Sequence, residues 1–270
     1  MAAPFLEQID WTRPWLALVR QTAQPVLAAP DWRAALNDRA HAAGLVNHRG
    51  LPLCFVPAAE LPTGIAYEEF ISATGFVPTR DNLHDFFNAL VWLTFPAIKK
   101  QLNALQAAEI ATRAACAQAE ATSGGTRGKL RDAATLFDEN AALLVCADME
   151  WLADLRAHRW REALLVQRPA FGKAAGVYLF GHALMEKLVA PYKAITAHTW
   201  VVPADAGFFL LSLPQQRAWI DDAVMRQLQQ GLHTSTFTPL PVLGLPGWWD
   251  GQDEAFYADV QVFRPPRRPA

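Results

Sequence analysis

The segment that most restricts this fold is Asn82–Phe95, which has the periodicity of a helix and very little polar surface. On a helical wheel Leu83, Phe86, Leu90 and Leu93 form one apolar stripe, and Phe87, Val91 and Phe95 widen it. Such a helix has to be buried over most of its circumference. What is left is a single polar stripe, Asp81, His84, Asp85, Asn88 and Trp92, at spacings of three and four. A buried polar group without a partner is costly, so this stripe must face water, a pocket or hydrogen-bonding groups. The core around the helix must be large. The chain has 270 residues, 52% of them hydrophobic and only 19% charged. A chain of that length buries about 75% of its unfolded surface and needs no metal or disulfide staple.

The stripe carries an imidazole, carboxylates, an amide and an indole, where an ordinary solvent face favours Lys, Glu and Gln. Arg80 adds a fixed positive charge just before the helix. His84 can exchange a proton near neutral pH. Asp85 or Asp81 can orient it or bind a metal, and Asn88 can hold a substrate oxygen. A purely structural reading stands beside this one. Asn82 is a natural N-cap, and Asp85 then falls at N3, where a carboxylate complements the helix dipole.

The formal net charge is −2, which implies no generic nucleic-acid binding. Three well-separated cysteines, Cys54, Cys116 and Cys146, fit neither a secreted disulfide framework nor a zinc knuckle. The N-terminus has neither the basic nor the apolar region of a signal peptide, and no charge-free apolar run is long enough to span a membrane. The cytoplasm is the expected compartment.

The coarse reading is mostly helical. Asp31 caps a helix over Trp32–Ala43, and Gly75 closes a helix over Tyr67–Thr74. Pro96 starts a helix that runs to about Ala121. Further helices are expected at Met149–Ala157, Trp160–Gln167, Ala175–Val189 and Pro214–Gln230. Leu53–Val56 and Ile195–Val202 read as strands. Thr135–Phe137 and Ala141–Val145 read as a hairpin with the acidic tip Asp138-Glu139-Asn140. Thr122–Gly128 reads as a surface loop. From Thr238 on, Pro, Gly and Trp suggest an extended, polyproline-like surface wrap, with 266–270 expected to be disordered.

Other constellations are less specific. His182 and Glu186 share a helix face at a metal-ligand spacing, and His84, Asp85, Asp138, Glu139 and His198 are candidates to complete a site. The acidic tip can supply carboxylates or simply make a turn. Gly124–Leu130 lacks the first glycine and the metal-binding Ser or Thr of a phosphate-binding loop. No GxSxG nucleophile elbow is present. Trp248 and Trp249 are candidates for a binding surface or for packing on their own domain.

Several segments together resemble one family. They are Pro78-Thr79-Arg80-Asp81-Asn82-Leu83-His84-Asp85-Phe86-Phe87-Asn88-Ala89-Leu90-Val91-Trp92, then Arg131-Asp132-Ala133 with Thr135-Leu136-Phe137-Asp138-Glu139-Asn140. Phe180-Gly181-His182-Ala183-Leu184 and Pro239-Leu240-Pro241-Val242-Leu243-Gly244 with Pro246-Gly247-Trp248 complete the set. The chain resembles a proteobacterial family catalogued only as a domain of unknown function, over roughly residues 65–265. Ala141 is a departure, since a Gly often follows the acidic tip there. The resemblance implies one domain of about this length and carries no activity or cofactor.

The expectation is therefore one α+β domain over 1–270, predominantly helical. It would carry a small sheet from the 50s, 130s–140s and 190s segments and an extended Pro/Trp-rich C-terminal segment. Two functions compete. One is a hydrolase-like enzyme, acid–base or assisted by a divalent metal, acting on a small molecule. His84, Asp85, Asn88 and Arg80 would be its catalytic residues, with Arg80 as an anion clamp, and His84, Asp138, Glu139 and His182 the candidate ligands. It requires Asp138 or Glu139 and His182 to lie close to His84. The other is a non-catalytic domain that binds a ligand or protein partner, using an exposed apolar patch near Trp248 and Trp249.

Overall fold

The computed structural model describes residues 3–119 and 129–266, so the Thr122–Gly128 loop and residues 267–270 lie outside the described residues. The helices are α1 (Ala17–Leu27), α2 (Trp32–Ala42), α3 (Tyr67–Thr74), α4 (Leu83–Thr94), α5 (Pro96–Ala119), α6 (Lys129–Asn140), α7 (Met149–Arg156), α8 (His182–Lys187), α9 (Leu213–Gln230) and α10 (Glu254–Tyr257). The strands are β1 (Cys54–Pro57), β2 (Phe76–Thr79), β3 (Ala141–Cys146), β4 (Ala175–Leu179), β5 (Thr196–Pro203) and β6 (Thr238–Pro241). The fold is α+β and predominantly helical. No described helix is long and apolar enough to cross a membrane.

Among the described residues the strands form two sheets. In the larger, of order β4-β3-β5-β6, β3 runs parallel to β5 and antiparallel to β4, and β6 closes the far edge antiparallel to β5. Every residue of β3 is buried, which fits its unbroken run Ala-Ala-Leu-Leu-Val-Cys. The smaller sheet pairs β1 with β2 in parallel, Cys54 opposite Phe76. The 50s strand therefore does not join the 140s and 190s strands as expected. Its partner β2 contains Pro78, which lowers the strand signal of a four-residue run.

The central helix forms where its sequence requires. Asn82 accepts a hydrogen bond from Asp85 N–H at 2.8 Å and caps α4. Phe86, Phe87, Leu90, Val91 and Phe95 are fully buried, and α4 packs against α1, α2, α5 and α8. Gly75 ends α3 in the left-handed region, φ 79°, where a Cβ would also collide with the Pro52 carbonyl oxygen.

Three further expectations are overturned. The hairpin with an acidic tip is absent: Leu130, Ala133, Ala134 and Phe137 repeat at three- and four-residue spacing, so the segment is helix α6 and runs straight into β3. Asp138 and Glu139 lie in its last turn. The helix expected over Ala175–Val189 is the strand β4 followed by the short α8. Gly176 and Gly181 break the helical pattern, and Val177 and Tyr178 favour the sheet. The segment after Thr238 is not a surface wrap. Its Leu240, Val242, Leu243, Leu245, Trp248, Phe256 and Tyr257 enter the one contiguous hydrophobic cluster, while Gln252 ties the loop to the carbonyls of Leu243 and Leu245. The segment expected as helix over Trp160–Gln167 is helical but contains a π turn at Glu162–Val166.

Candidate functional site

One junction between elements builds the site. Phe180 and Gly181 N–H groups both donate to the Ala141 carbonyl, at 3.2 and 2.8 Å, where α6 passes into β3. A Cβ at Gly181 would lie 2.5–2.6 Å from the backbone of Glu139, Asn140 and Ala141, so only glycine allows this approach. It brings the start of α8 against the end of α6, and α4 packs on α8. His182, Glu139 and His84 thereby meet, although nearly a hundred residues separate His84 from His182.

His84 Nε2 lies 3.1 Å from His182 Nε2, and His182 Nε2 lies 3.6 Å from Glu139 Oε2. One ligand atom from each of the three falls within 4.8 Å of the others. On the far side of its ring, His84 Nδ1 lies 2.9 Å from Glu186 Oε2. A carboxylate only accepts, so Glu186 places the proton on His84 Nδ1 and leaves the Nε2 lone pair aimed at His182. Without an ion, His182 Nε2–H donates to that lone pair, and His182 Nδ1 is then a buried acceptor with no partner. Were a cation to take both Nε2 atoms, the proton would sit on His182 Nδ1, which lies 4.0 Å from Asp138 Oδ2. Two imidazole nitrogens on one tetrahedral zinc, at about 2.0–2.1 Å each, lie about 3.3 Å apart, so the observed spacing suits a shared ion.

The second layer is as ordered. Lys99 of α5, 4% exposed, donates to both Asp138 oxygens at 2.6 and 2.8 Å and to Asn88 Oδ1 at 2.9 Å. Its ammonium lies 5.2 Å from the centre of the Trp92 ring. Asn88 Nδ2 donates to the Tyr67 hydroxyl at 2.8 Å. Arg80 grips Asp85 with Nε and Nη2, both at 2.9 Å, and with its backbone N–H at 2.6 Å. These groups line or back a cavity of about 450 Å³, with Leu61, Pro78 and Glu68 on its other walls.

The electrostatics follow from this crowding. Burial pushes the His182 pKa down to about 4, and the charges of Lys99 and His84 act the same way against Asp138, so the ring is neutral at pH 7. Burial would raise the Asp138 carboxyl, but Lys99 and the two histidines outweigh it and hold it below the usual range. Burial also raises Glu139, and the neighbouring Asp138 and Glu186 add to this against the pull of His84 and Lys99. Burial opposes ionisation of Asp85, yet the Arg80 contacts still lower it. Three carboxylates, Asp138, Glu139 and Glu186, therefore crowd around two imidazoles.

The stripe read from the sequence divides. His84 and Asn88 face the cavity. Asp85 does not orient His84: it is held by Arg80, and Glu186 takes that role. Arg80 in turn has its charge matched by Asp85 instead of standing free as an anion clamp. Asp81 points away and pairs with Arg33 at 2.7 Å. Trp92 is buried beneath Lys99. Asp138 is not in the converging ligand set because Lys99 holds it, and Glu186 stands behind His84 instead of ligating beside His182. His198 lies elsewhere, on β5 against Phe237. Lys99 and Tyr67 join the site without a local sequence motif that marks their role. A wheel of α5 signals Lys99, since it shares a buried stripe with Leu102, Asn103 and Gln106.

A family described as protein of unknown function (DUF3025) matches residues 53–267, and the chain belongs to it. No curated protein and no solved structure matches the chain. The matched range contains every residue of the site.

Proposed function

We propose that the chain is a metal-assisted hydrolase in which His84, His182 and Glu139 hold one divalent cation. The observation that carries the reading is the convergence of these three ligand atoms on the wall of a cavity. Three protein ligands beside open space is the pattern of a catalytic site, whereas structural zinc is closed by four. A divalent cation there supplies a Lewis acid and a means of activating water at neutral pH. Glu186 fixes the His84 tautomer, and His182 Nδ1 faces Asp138, its backbone and, at 4.0 Å, its carboxylate. Carboxylates behind ligating imidazoles are the usual means of setting ring orientation and basicity. Zinc and ferrous iron both accept two imidazoles and a carboxylate, and metal analysis distinguishes them. The rival reading, a binding domain with an apolar patch at Trp248 and Trp249, loses its main support. Trp248 is buried against Trp15, and Trp249 packs on the core.

The test is metal stoichiometry after expression in metal-replete medium, paired with hydrolysis of a panel of small esters and amides. The expected result is about one divalent ion per chain and turnover, both lost in a folded His84→Ala variant. A folded wild-type protein that takes up no zinc, iron, manganese or cobalt contradicts the proposal.

A further inference from the structure

Lys99, Asn88 and Tyr67 form a chain of hydrogen bonds with one direction. The Lys99 ammonium donates to Asn88 Oδ1 at 2.9 Å, and Asn88 Nδ2 donates to the Tyr67 oxygen at 2.8 Å. Tyr67 only accepts in this chain, and among the described residues its own hydroxyl hydrogen has no acceptor. The cavity it lines is the one that His84, Glu139 and His182 border. The chain of donors occupies the phenol oxygen as an acceptor and leaves its hydrogen to donate into the cavity. Burial, with Asp138 and Asp85 nearby, raises the Tyr67 pKa and keeps the hydroxyl protonated.

We infer that Tyr67 donates to the substrate oxygen on which negative charge develops, and that this substrate is an uncharged or cationic carbonyl compound, an ester or amide, and not a phosphate ester. This rests on the metal-site reading above. A phosphate needs free cations. Arg80 is the one Lys or Arg among the described residues lining the cavity, and Asp85 already matches its charge. Lys99 behind the wall is matched by Asp138. Glu68 and Glu139 add negative charge. A carbonyl needs only a single donor and a Lewis acid. In hydrolysis a water oxygen bonds to the carbonyl carbon and the π pair moves onto the carbonyl oxygen, where Tyr67 donates. The pair then returns as the C–N or C–O bond breaks, and the leaving group takes a proton that came from the water. Tyr67 is the catalytic residue of this chain, while Asn88 and Lys99 act through it as positioning residues.

The test uses the full chain loaded with cobalt(II), titrated with acetohydroxamate as a carbonyl probe and with inorganic phosphate, and read from the visible spectrum of the metal. The wild type is expected to bind acetohydroxamate at least about tenfold more tightly than phosphate. Tyr67→Phe should weaken acetohydroxamate about 10- to 100-fold, the range for one hydrogen bond to a charged acceptor, with cobalt stoichiometry and the unliganded spectrum unchanged. Asn88→Asp should give the same loss, because a carboxylate captures the phenol hydrogen, and the double variant should lose no more than either. The inference is overturned if Tyr67→Phe binds the probe as the wild type does, if Tyr67→Phe loses cobalt, or if phosphate binds as tightly as acetohydroxamate. If the wild type binds cobalt, any of these outcomes leaves the metal site standing. A wild type that binds no cobalt overturns both.

Discussion

His182 is held neutral by its surroundings, and that has a measurable cost in acid. Its folded pKa, about 4, lies below the ordinary 6.5 because the ring is buried and Lys99 and His84 face it, with Asp138 opposing. The unfolded chain therefore takes up the proton first as pH falls. The stabilising contribution is fully present above pH 6.5 and is lost as pH drops towards 4. The metal-free protein should lose about 3 kcal/mol over that window through this residue. Urea unfolding at pH 7 and pH 4.5 reads it: the wild type should show the drop, and a His182→Gln variant should show a much flatter profile. Equal slopes in the two proteins would mean that another group controls the acid limb. Asp85 and Arg80 line the same cavity as a bound pair. Their three contacts satisfy the Asp85 carboxylate and match the Arg80 charge, so the pair shapes the wall beside His84.

The site depends on where elements meet more than on any one of them. Gly181 lets α8 approach the α6–β3 junction, and Gly181→Ala would place a methyl 2.5–2.6 Å from three backbone atoms. The expected outcome is a loss of about 3 kcal/mol in urea unfolding together with loss of metal uptake, since α8 must move away from α6. Asn82→Ala makes the contrasting case. Losing the α4 cap should cost about 1 kcal/mol while metal stoichiometry persists, which separates capping from chemistry on the same helix. These junctions also explain what could be read from the sequence. The α4 stripe was legible because period and polarity coincide within one segment, and the Asn82 cap came from a local rule. The hairpin at Asp138–Asn140 was misread because acidic residues at a helix end look like a turn, although Leu130, Ala133, Ala134 and Phe137 carry the helical period. The pairing of Glu186 with His84 and of Lys99 with Asp138 spans 102 and 39 residues, and no local pattern encodes such distances.

At the scale of the whole molecule, most of the apolar surface forms a single cluster that runs from Leu6 to Phe263. The polar groups of the site lie at the border of this cluster, on α3, α4, α5, α6 and α8, and the β3–β4–β5 sheet fixes the α6 and α8 ends. An apolar body of this size can hold a buried Lys–Asp pair and two histidines in place, because the cost of moving any one of them is spread over the packing around it. Placing the ligands on three elements far apart in sequence means that an ion can bind only after those elements have packed. X-ray absorption on the zinc-loaded full chain tests this account most directly. The account predicts imidazole scattering from two histidines with nitrogen and oxygen neighbours at about 2.0–2.2 Å and no sulfur shell, and no retained zinc in His84→Ala. A sulfur shell, a site without imidazole, or a folded wild-type protein that retains no zinc would contradict it.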